Sequence, residues 1–192
     1  ATEQETPLTV YAIGFSQYGF SDNILKQGGY TFLPPNPDEH NVYYSKSLQN
    51  GVSLPAIPTG YEIRKLQGVD DIEAYQALYG FSKVSPLHQK ELMESKEYCH
   101  LVMVNLEGEF VAYCECSVCY AEWERSSQRI GWIDYIETKP DQQQKGFGRA
   151  ILMAGLLHLK EIGADHAMLV TVNTNTPAVT LYNKTGFESV PI

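Results

Sequence analysis

The run QQQKGFGRAIL, residues 142–152, sets Gly146 and Gly148 beside Lys145 and Arg149 where a proline-ended apolar stretch gives way to an apolar helix. Residue types in that order suit an anion. Glycines let a backbone approach a ligand closely, and the first turn of a helix presents unpaired N–H groups with a partial positive charge. Two familiar phosphate loops do not fit. A dinucleotide fingerprint needs a third glycine where Ile151 stands, and a nucleotide-triphosphate loop needs Gly-Lys followed by Ser or Thr, which this region lacks. The cysteines offer weaker chemistry. Cys114, Cys116 and Cys119 crowd into YCECSVCY, but no second Cys or His group stands at zinc spacing, and on a strand Cys114 and Cys116 share one face while Cys119 points the other way. Buried, reduced thiols and no metal are expected, and the five histidines read as structural or exposed residues.

Alternating strands and helices from Gly60 onward must position the loop. YEIRKL reads as a strand and DDIEAYQALYGF as a helix with Ile72, Tyr75 and Leu78 on one face. PLHQKELMES reads as a second helix, followed by a hairpin turned at Glu107-Gly108 and a strand, RIGWIDYIETKP, stopped at Pro140. The glycine loop opens a helix with a Leu152, Leu156, Leu159 stripe and an expected left-handed cap at Gly163. AMLVTV is a continuous apolar run, as for a buried strand. Asn175 or Thr176 then caps a last helix, with Pro177 in its first turn and Gly186 at its end. The expected fold is α/β, a mixed sheet with helices on both faces. The formal net charge of -9 argues against nucleic acid and anionic membrane surfaces as partners. The absence of a long apolar stretch and of a signal pattern at the start gives a cytoplasmic expectation.

Gln143-x-x-Gly146-x-Gly148 after a strand, then Asn175, Ala178, Leu181, Tyr182, Gly186 and Phe187 one helix and strand downstream, resemble the two signatures of the GNAT superfamily of acyl-CoA-dependent N-acyltransferases. The resemblance runs from about Gly60 to Phe187. It implies a GNAT fold and acetyl-CoA as cosubstrate. The diphosphate would meet N–H groups from Gln144 through Lys145, Gly146, Phe147 and Gly148 to Arg149, with Gln143 starting the loop and Lys145 or Arg149 adding charge. The pantetheine arm would bond strand-like near Ile136, Glu137 and Thr138, and Asn175, Ala178 and Tyr182 complete the cofactor side. Tyr182 matches the tyrosine that protonates the departing thiolate, and its rival reading is a core aromatic shared with Ala178 and Leu181. The acceptor ammonium must lose a proton, for which Asp134 and Glu137 are the candidates. Alternation puts them on opposite faces, Asp134 with Trp132, Ile136 and Thr138. The implied reaction is direct acetyl transfer to a small-molecule or peptide amine, by a monomer or homodimer. The alternatives are a catalytically silent CoA-binding module, or an acyltransferase using a longer acyl-CoA or a protein lysine.

The start of the chain also resembles its end. Matching Gly29-Tyr30 to Gly186-Phe187 sets Pro34 on Pro191 and Leu25 on Tyr182, so strand, helix and glycine stop recur without the tyrosine. Residues 1–50 thus resemble the tail of a degenerate first GNAT-like lobe, as in a tandem, mycothiol-synthase-like branch. On that reading 51–59 is a linker, 60–192 the acetyltransferase domain, and the chain part of a longer protein. The strand NVYYSKSL, with Val42 and Tyr44 on one side and Tyr43 on the other, is expected to complete the sheet of the active lobe.

Overall fold

The computed structural model describes residues 38–67, 71–72, 74–75 and 94–191. The repeat read into residues 1–37, the position of Leu78 and nearly all of the helix expected over 86–95 lie outside the described residues. Cα packing divides the chain into Ala1–Asp38 and Glu39–Ile192, and the second unit holds the sheet.

Seven strands form one sheet: β1 (Asn41–Ser47), β2 (Tyr61–Lys65), β3 (Tyr98–Asn105), β4 (Phe110–Val118), β5 (Ile130–Thr138), β6 (His166–Val172) and β7 (Glu188–Val190). Their spatial order is β2-β3-β4-β5-β6-β1-β7. Every pairing is antiparallel except β5 with β6, which is parallel and covers only Ile130–Trp132 against His166–Met168. The hairpin joining β3 to β4 turns as expected, with Gly108 at φ 81° and its N–H on the Asn105 carbonyl at 3.0 Å.

Helix α2 (Phe147–Glu161) lies on one face. It follows a one-turn helix α1 (Tyr120–Trp123), which the sequence pattern does not announce and which the Trp123 indole N–H ties to the Ile130 carbonyl at 2.8 Å. Leu152, Leu156 and Leu159 are wholly buried, each contributing about 1.5–3 kcal/mol of apolar burial. Two small residues set how closely α2 docks. A Cβ on Gly155 would stand 2.7 Å from Cys114 Sγ, and one on Gly131 would stand 2.6 Å from Leu159 Cδ2. Helix α3 (Thr176–Lys184) shares this face; Asn175 caps it by accepting from the Ala178 N–H at 3.3 Å, and Leu181 reaches Gly148. Gly163 and Gly186 end the two helices at φ 101° and 83°, as expected.

The other face of β3 and β4 buries Val102, Val104 and Tyr113 under Tyr75, from a helical turn described at 71–72 and 74–75. Arg64 of β2 anchors that turn through paired bonds to the Asp71 carboxylate at 2.5 and 3.0 Å, and its guanidinium holds the Asp71 carboxyl below the usual range.

The cysteines are free thiols; Cys114 and Cys116 share one face as expected, which is the α2 side, with their sulfurs 3.8 Å apart, whereas Cys119 is not on the strand but stands just past its end, at the N-cap of α1. Burial pushes the Cys99 thiol up to about 12. Among the described residues no helix is long and apolar enough to cross a membrane.

Two sequence expectations need correction. The apolar run in β6 is not uniformly buried: Ala167 and Leu169 are, but Val170 is 43% exposed, because β5 has left its side by that point. The alternation read along β5 also fails. A bulge opposite Glu115 and Cys116 inserts Asp134 as an extra residue, so Glu137 pairs beside Tyr113, and Ile136 and Thr138 turn to the α2 face beside Cys114 and Ala112. Asp134 hydrogen-bonds with Ser117 on the opposite face. Asp134 and Glu137 therefore share a face, and Asp134 does not share one with Ile136 and Thr138.

The strand expected from the N-terminal segment is present. β1 pairs along all seven residues with β6 and holds β7 on its other side. Leu48, just past it, is 1% exposed and its N–H bonds the Asp165 carbonyl at 2.9 Å. Leu48→Ala should therefore cost about 2–5 kcal/mol, as much as Leu156→Ala, in urea unfolding. A loss under about 1 kcal/mol would show that this segment lies outside the cooperative unit.

Candidate functional site

Beyond Trp132 and Met168 the two central strands part. β5 stays on β4 through Thr138 and β6 stays on β1 through Val172, so each is held on its outer side while the inner sides diverge. Backbone groups of Ile133–Thr138 facing the opening have no strand partner among the described residues; the Thr138 carbonyl accepts from the Gln143 side chain at 3.3 Å. An extended polar chain could pair there.

The glycine loop closes one end. A short 3-10 turn (Pro140–Gln142) leads to Gln144 at φ 62° and Gly146 at φ 86°, and Gly146 caps α2. Left-handed backbone at the second position demands glycine. Ala150 is the first residue whose N–H closes onto the helix, at 3.0 Å from the Gly146 carbonyl. The N–H groups of Phe147, Gly148 and Arg149 are thus the ones a helix start leaves unpaired. The Phe147 side chain is not at the loop surface; it is 2% exposed and packs on the Tyr61 ring at 4.6 Å. Lys145 Nζ donates to Gln142 Oε1 at 2.8 Å, and Arg149 is exposed. Beside them lies a cleft of about 270 Å³ whose other wall is Ser53, Leu54, Ala56 and Pro58. Sequence reasoning treated that stretch only as a connection.

Tyr182 stands on the α2 side of the sheet, 5% exposed, against Tyr44 of β1 at 5.8 Å and Phe187 at 5.9 Å between ring centroids. Burial first, then neighbouring Cys114 and Tyr44, pushes its phenol up to about 12. It is a hydroxyl donor at every physiological pH. Tyr44 was missed as a site neighbour because only the β1 register brings it there.

Asp134 lies on the opposite face with Ser117, Glu115 and His100. Asp134 is exposed, yet the strands packed around its carboxyl limit its hydration and raise it, with the Glu115 charge adding to the effect and the Ser117 hydrogen bond and the field of His100 opposing it. Glu137 accepts from Tyr113 Oη at 3.1 Å. His100, read from sequence as structural or exposed, is 7% exposed and belongs to this cluster. No periodicity could have found it, since its neighbours come from strand register.

An acetyltransferase (GNAT) family model matches residues 63–187, most of the chain. The chain belongs to the GNAT family. Among relatives, the GNAT chain is 29% identical over 161 residues to the mycothiol acetyltransferase of Saccharomonospora viridis, covering 78% of this chain and 53% of that protein. It is 33% identical over 86 residues to the streptothricin acetyltransferase of Streptomyces lavendulae, covering 45% of this chain and 42% of that one. The chain spans about half the length of the curated relatives it matches. In fold it is similar to a GCN5-related N-acetyltransferase from Sphaerobacter thermophilus, with TM-score 0.62 at 18% identity over 88% of this chain and 53% of that one. It is also similar to the aminoglycoside N-acetyltransferase AAC(6')-Iy in complex with CoA, with TM-score 0.59 at 14% identity over 72% and 95% of the two chains.

The raised Tyr182 pKa has a stability consequence. Between the ordinary tyrosine value near 10 and the folded value of about 12 the native state holds a proton that the unfolded state has lost, so stability falls as pH rises through that window. The loss is on the order of 2–3 kcal/mol. Urea unfolding at pH 9 and 11, which spans the lower half of that window, should show wild type losing about 1.4 kcal/mol more than Tyr182→Phe, and equal losses would contradict the buried, protonated phenol.

Proposed function

We propose that the protein transfers the acetyl group of acetyl-CoA directly to an amine of a small molecule. The observation that carries this reading is an opening through the sheet with a buried hydroxyl donor, Tyr182, on one face and a carboxylate of raised pKa, Asp134, on the other. Acetyl-CoA, when bound, supplies an activated acyl group and a thiolate leaving group. The residues present fit it: helix-start N–H groups and Lys145 and Arg149 for the diphosphate, and the unpaired edge of β5 at Ile136, Glu137 and Thr138 for the amide arm. Asn175 and Ala178 act indirectly, capping the helix that carries Tyr182.

Tyr182 holds its proton and offers it to developing negative charge on sulfur. A phenol at about 12 looks too weak an acid for a thiolate near 8.5 in water. Withdrawal from water raises thiols as well, however, so a sulfur drawn into the opening shifts in the same direction as the phenol. Asp134 accepts the ammonium proton before attack; its raised pKa makes it a better base than an ordinary aspartate. Glu137 is engaged by Tyr113 and serves to hold the face acidic. Free thiols and acetyl-CoA chemistry both suit the cytoplasm.

The deciding assay follows release of the CoA thiol from acetyl-CoA across amines, aminoglycosides and lysine peptides. Turnover with small amines supports the reading, turnover with peptides alone moves it to protein lysine, and CoA binding without turnover leaves a silent module. Tyr182→Phe and Asp134→Asn should each lower kcat by about 10²–10⁴-fold with CoA affinity kept.

Gly148→Ala tests the loop, because its Cβ would meet only ordinary contacts, Thr138 Oγ1 at 3.5 Å and Leu181 Cδ2 at 3.7 Å. Calorimetry should show CoA binding about tenfold weaker or worse, roughly 1.4 kcal/mol, with little change in Tm; unchanged affinity would remove the diphosphate from this loop.

A further inference from the structure

We infer that the acceptor is an arylalkyl or branched alkyl monoamine, its apolar body seated on Trp132, Tyr135 and Val170 and its ammonium on Asp134. The inference rests on the reading that an amine is acylated at the opening between β5 and β6, and it names the class of that amine.

Strand register assigns the side chains that line the opening on the face away from α2. Trp132 and Met168 are the last paired residues of β5 and β6, so they stand at the apex where the strands part. Their neighbours Ile133, Ala167 and Leu169 are buried in the core under α2, so Trp132 and Met168 point the other way. Along β6 the same alternation puts Val170 and Val172 on that face, with Tyr43 of β1 directly opposite Val170. Along β5 the bulge changes the rule. Tyr135 pairs with Glu115 and Asp134 hydrogen-bonds with Ser117, so two consecutive residues face one side. A carboxylate and an aromatic ring are thereby set next to each other on one lip of the opening.

Tyr135 is 52% exposed and Val170 43%, one on each lip. Apolar side chains exposed singly need no explanation, but these two flank one opening and share it with Trp132 and Met168. Charge complementarity fixes the other end of the ligand. Glu115 accepts from Tyr75 Oη, and Glu137 accepts from Tyr113 Oη at 3.1 Å. Asp134 is exposed at the bulge, next to Tyr135 and two residues past Trp132, where an ammonium meets both a carboxylate and an aromatic ring.

The β6 lip selects the rest of the molecule. Met168, Val170 and Val172 carry no side-chain oxygen or nitrogen, so hydroxyls or a second ammonium laid there would lose water without compensation. An aryl or branched alkyl body gains from the same contact.

A panel of amines at saturating acetyl-CoA tests the class. Phenethylamine and isoamylamine should be acetylated with kcat/KM about 10–100-fold above ethanolamine, glucosamine and diaminobutane. Preference for one of the last three, or equal rates across the panel, would overturn the inference while leaving acetyl transfer to small amines in place. Tyr135→Ala and Val170→Ser should each cut the ratio of kcat/KM for phenethylamine over ethanolamine about tenfold, through KM for the amine rather than kcat. The ratio is internal to each variant, so a lower yield of folded protein does not move it, and a wild-type ratio in both variants would sink the assignment. Binding is read separately from turnover. Phenethylamine added to the CoA-loaded protein should quench tryptophan emission, and Trp132→Phe should abolish the quenching while keeping the Trp123 signal. No quenching, or quenching that survives Trp132→Phe, would overturn the seat. Should wild type acetylate none of these amines yet show the Trp132 quench, the acetyltransferase reading fails and the amine site stands; absence of both removes the two together.

Discussion

The separation of β5 from β6 after three paired residues is the constraint on which the rest of the structure depends. Parted strands in the middle of a sheet leave polar backbone groups without partners, a costly state unless something holds the strands and something else pairs with them. The holding is done from outside. β4 pairs with β5 along its length, and β1 pairs with all seven residues of β6, so the opening is a fixed gap rather than a frayed edge. Without β1 the inner strand would be tied to the sheet at only three positions. This is why a segment lying before the region matched by the family model belongs to the site: Tyr44 of that strand also packs on Tyr182.

Helix α2 spans the two sides of the gap at its base, and its packing explains otherwise unconnected sequence features. Gly155 and Gly131 are small because Cys114 Sγ and the Leu159 side chain occupy the space a Cβ would need. The same close docking seals Cys114 and Cys116 from solvent, raising Cys116 well above an ordinary thiol through the Cys114 contact and burial, so the sulfur cluster is packing rather than chemistry. Seating the helix also fixes its N-terminal N–H groups at the mouth of the gap, where Gly146 turns the chain in.

What was legible in the sequence was local. Gly146, Gly163 and Gly186 announced left-handed turns, Asn175 its cap, and the leucines of α2 their buried stripe, because each signal depends on residues within one or two turns. The strand NVYYSKSL was recognisable by its alternation and by the gap in the sheet it could fill, but it enters between β6 and β7 and does not cover an edge. What was not legible depended on register. One bulge at Asp134 reversed the faces of Ile136 and Thr138, and no period-two pattern can show an extra residue that only the partner strand reveals. His100 meets Glu115 for the same reason: they are fifteen positions apart and become neighbours through the β3–β4 pairing. The wall formed by Ser53–Pro58 carries no pattern at all, and only the folded chain lays it beside the glycine loop.

The bulge also sorts charge. With it, Glu115, Asp134 and Glu137 all lie on the face away from α2, whereas Lys145 and Arg149 belong to the helix start on the other side of the gap. Without it, regular alternation from Trp132 would have left Asp134 in place but turned Glu137 toward the α2 side, where CoA would bring its own negative charge. On the proposed reading an anionic cosubstrate and a cationic acceptor are drawn to opposite faces of one sheet, and each is disfavoured on the other's side by like charge. They can meet only where the sheet is open, between β5 and β6. A single extra residue in a strand thus brings Glu137 to the face that holds Asp134, and on the proposed reading makes the field there complementary to the group the base must deprotonate.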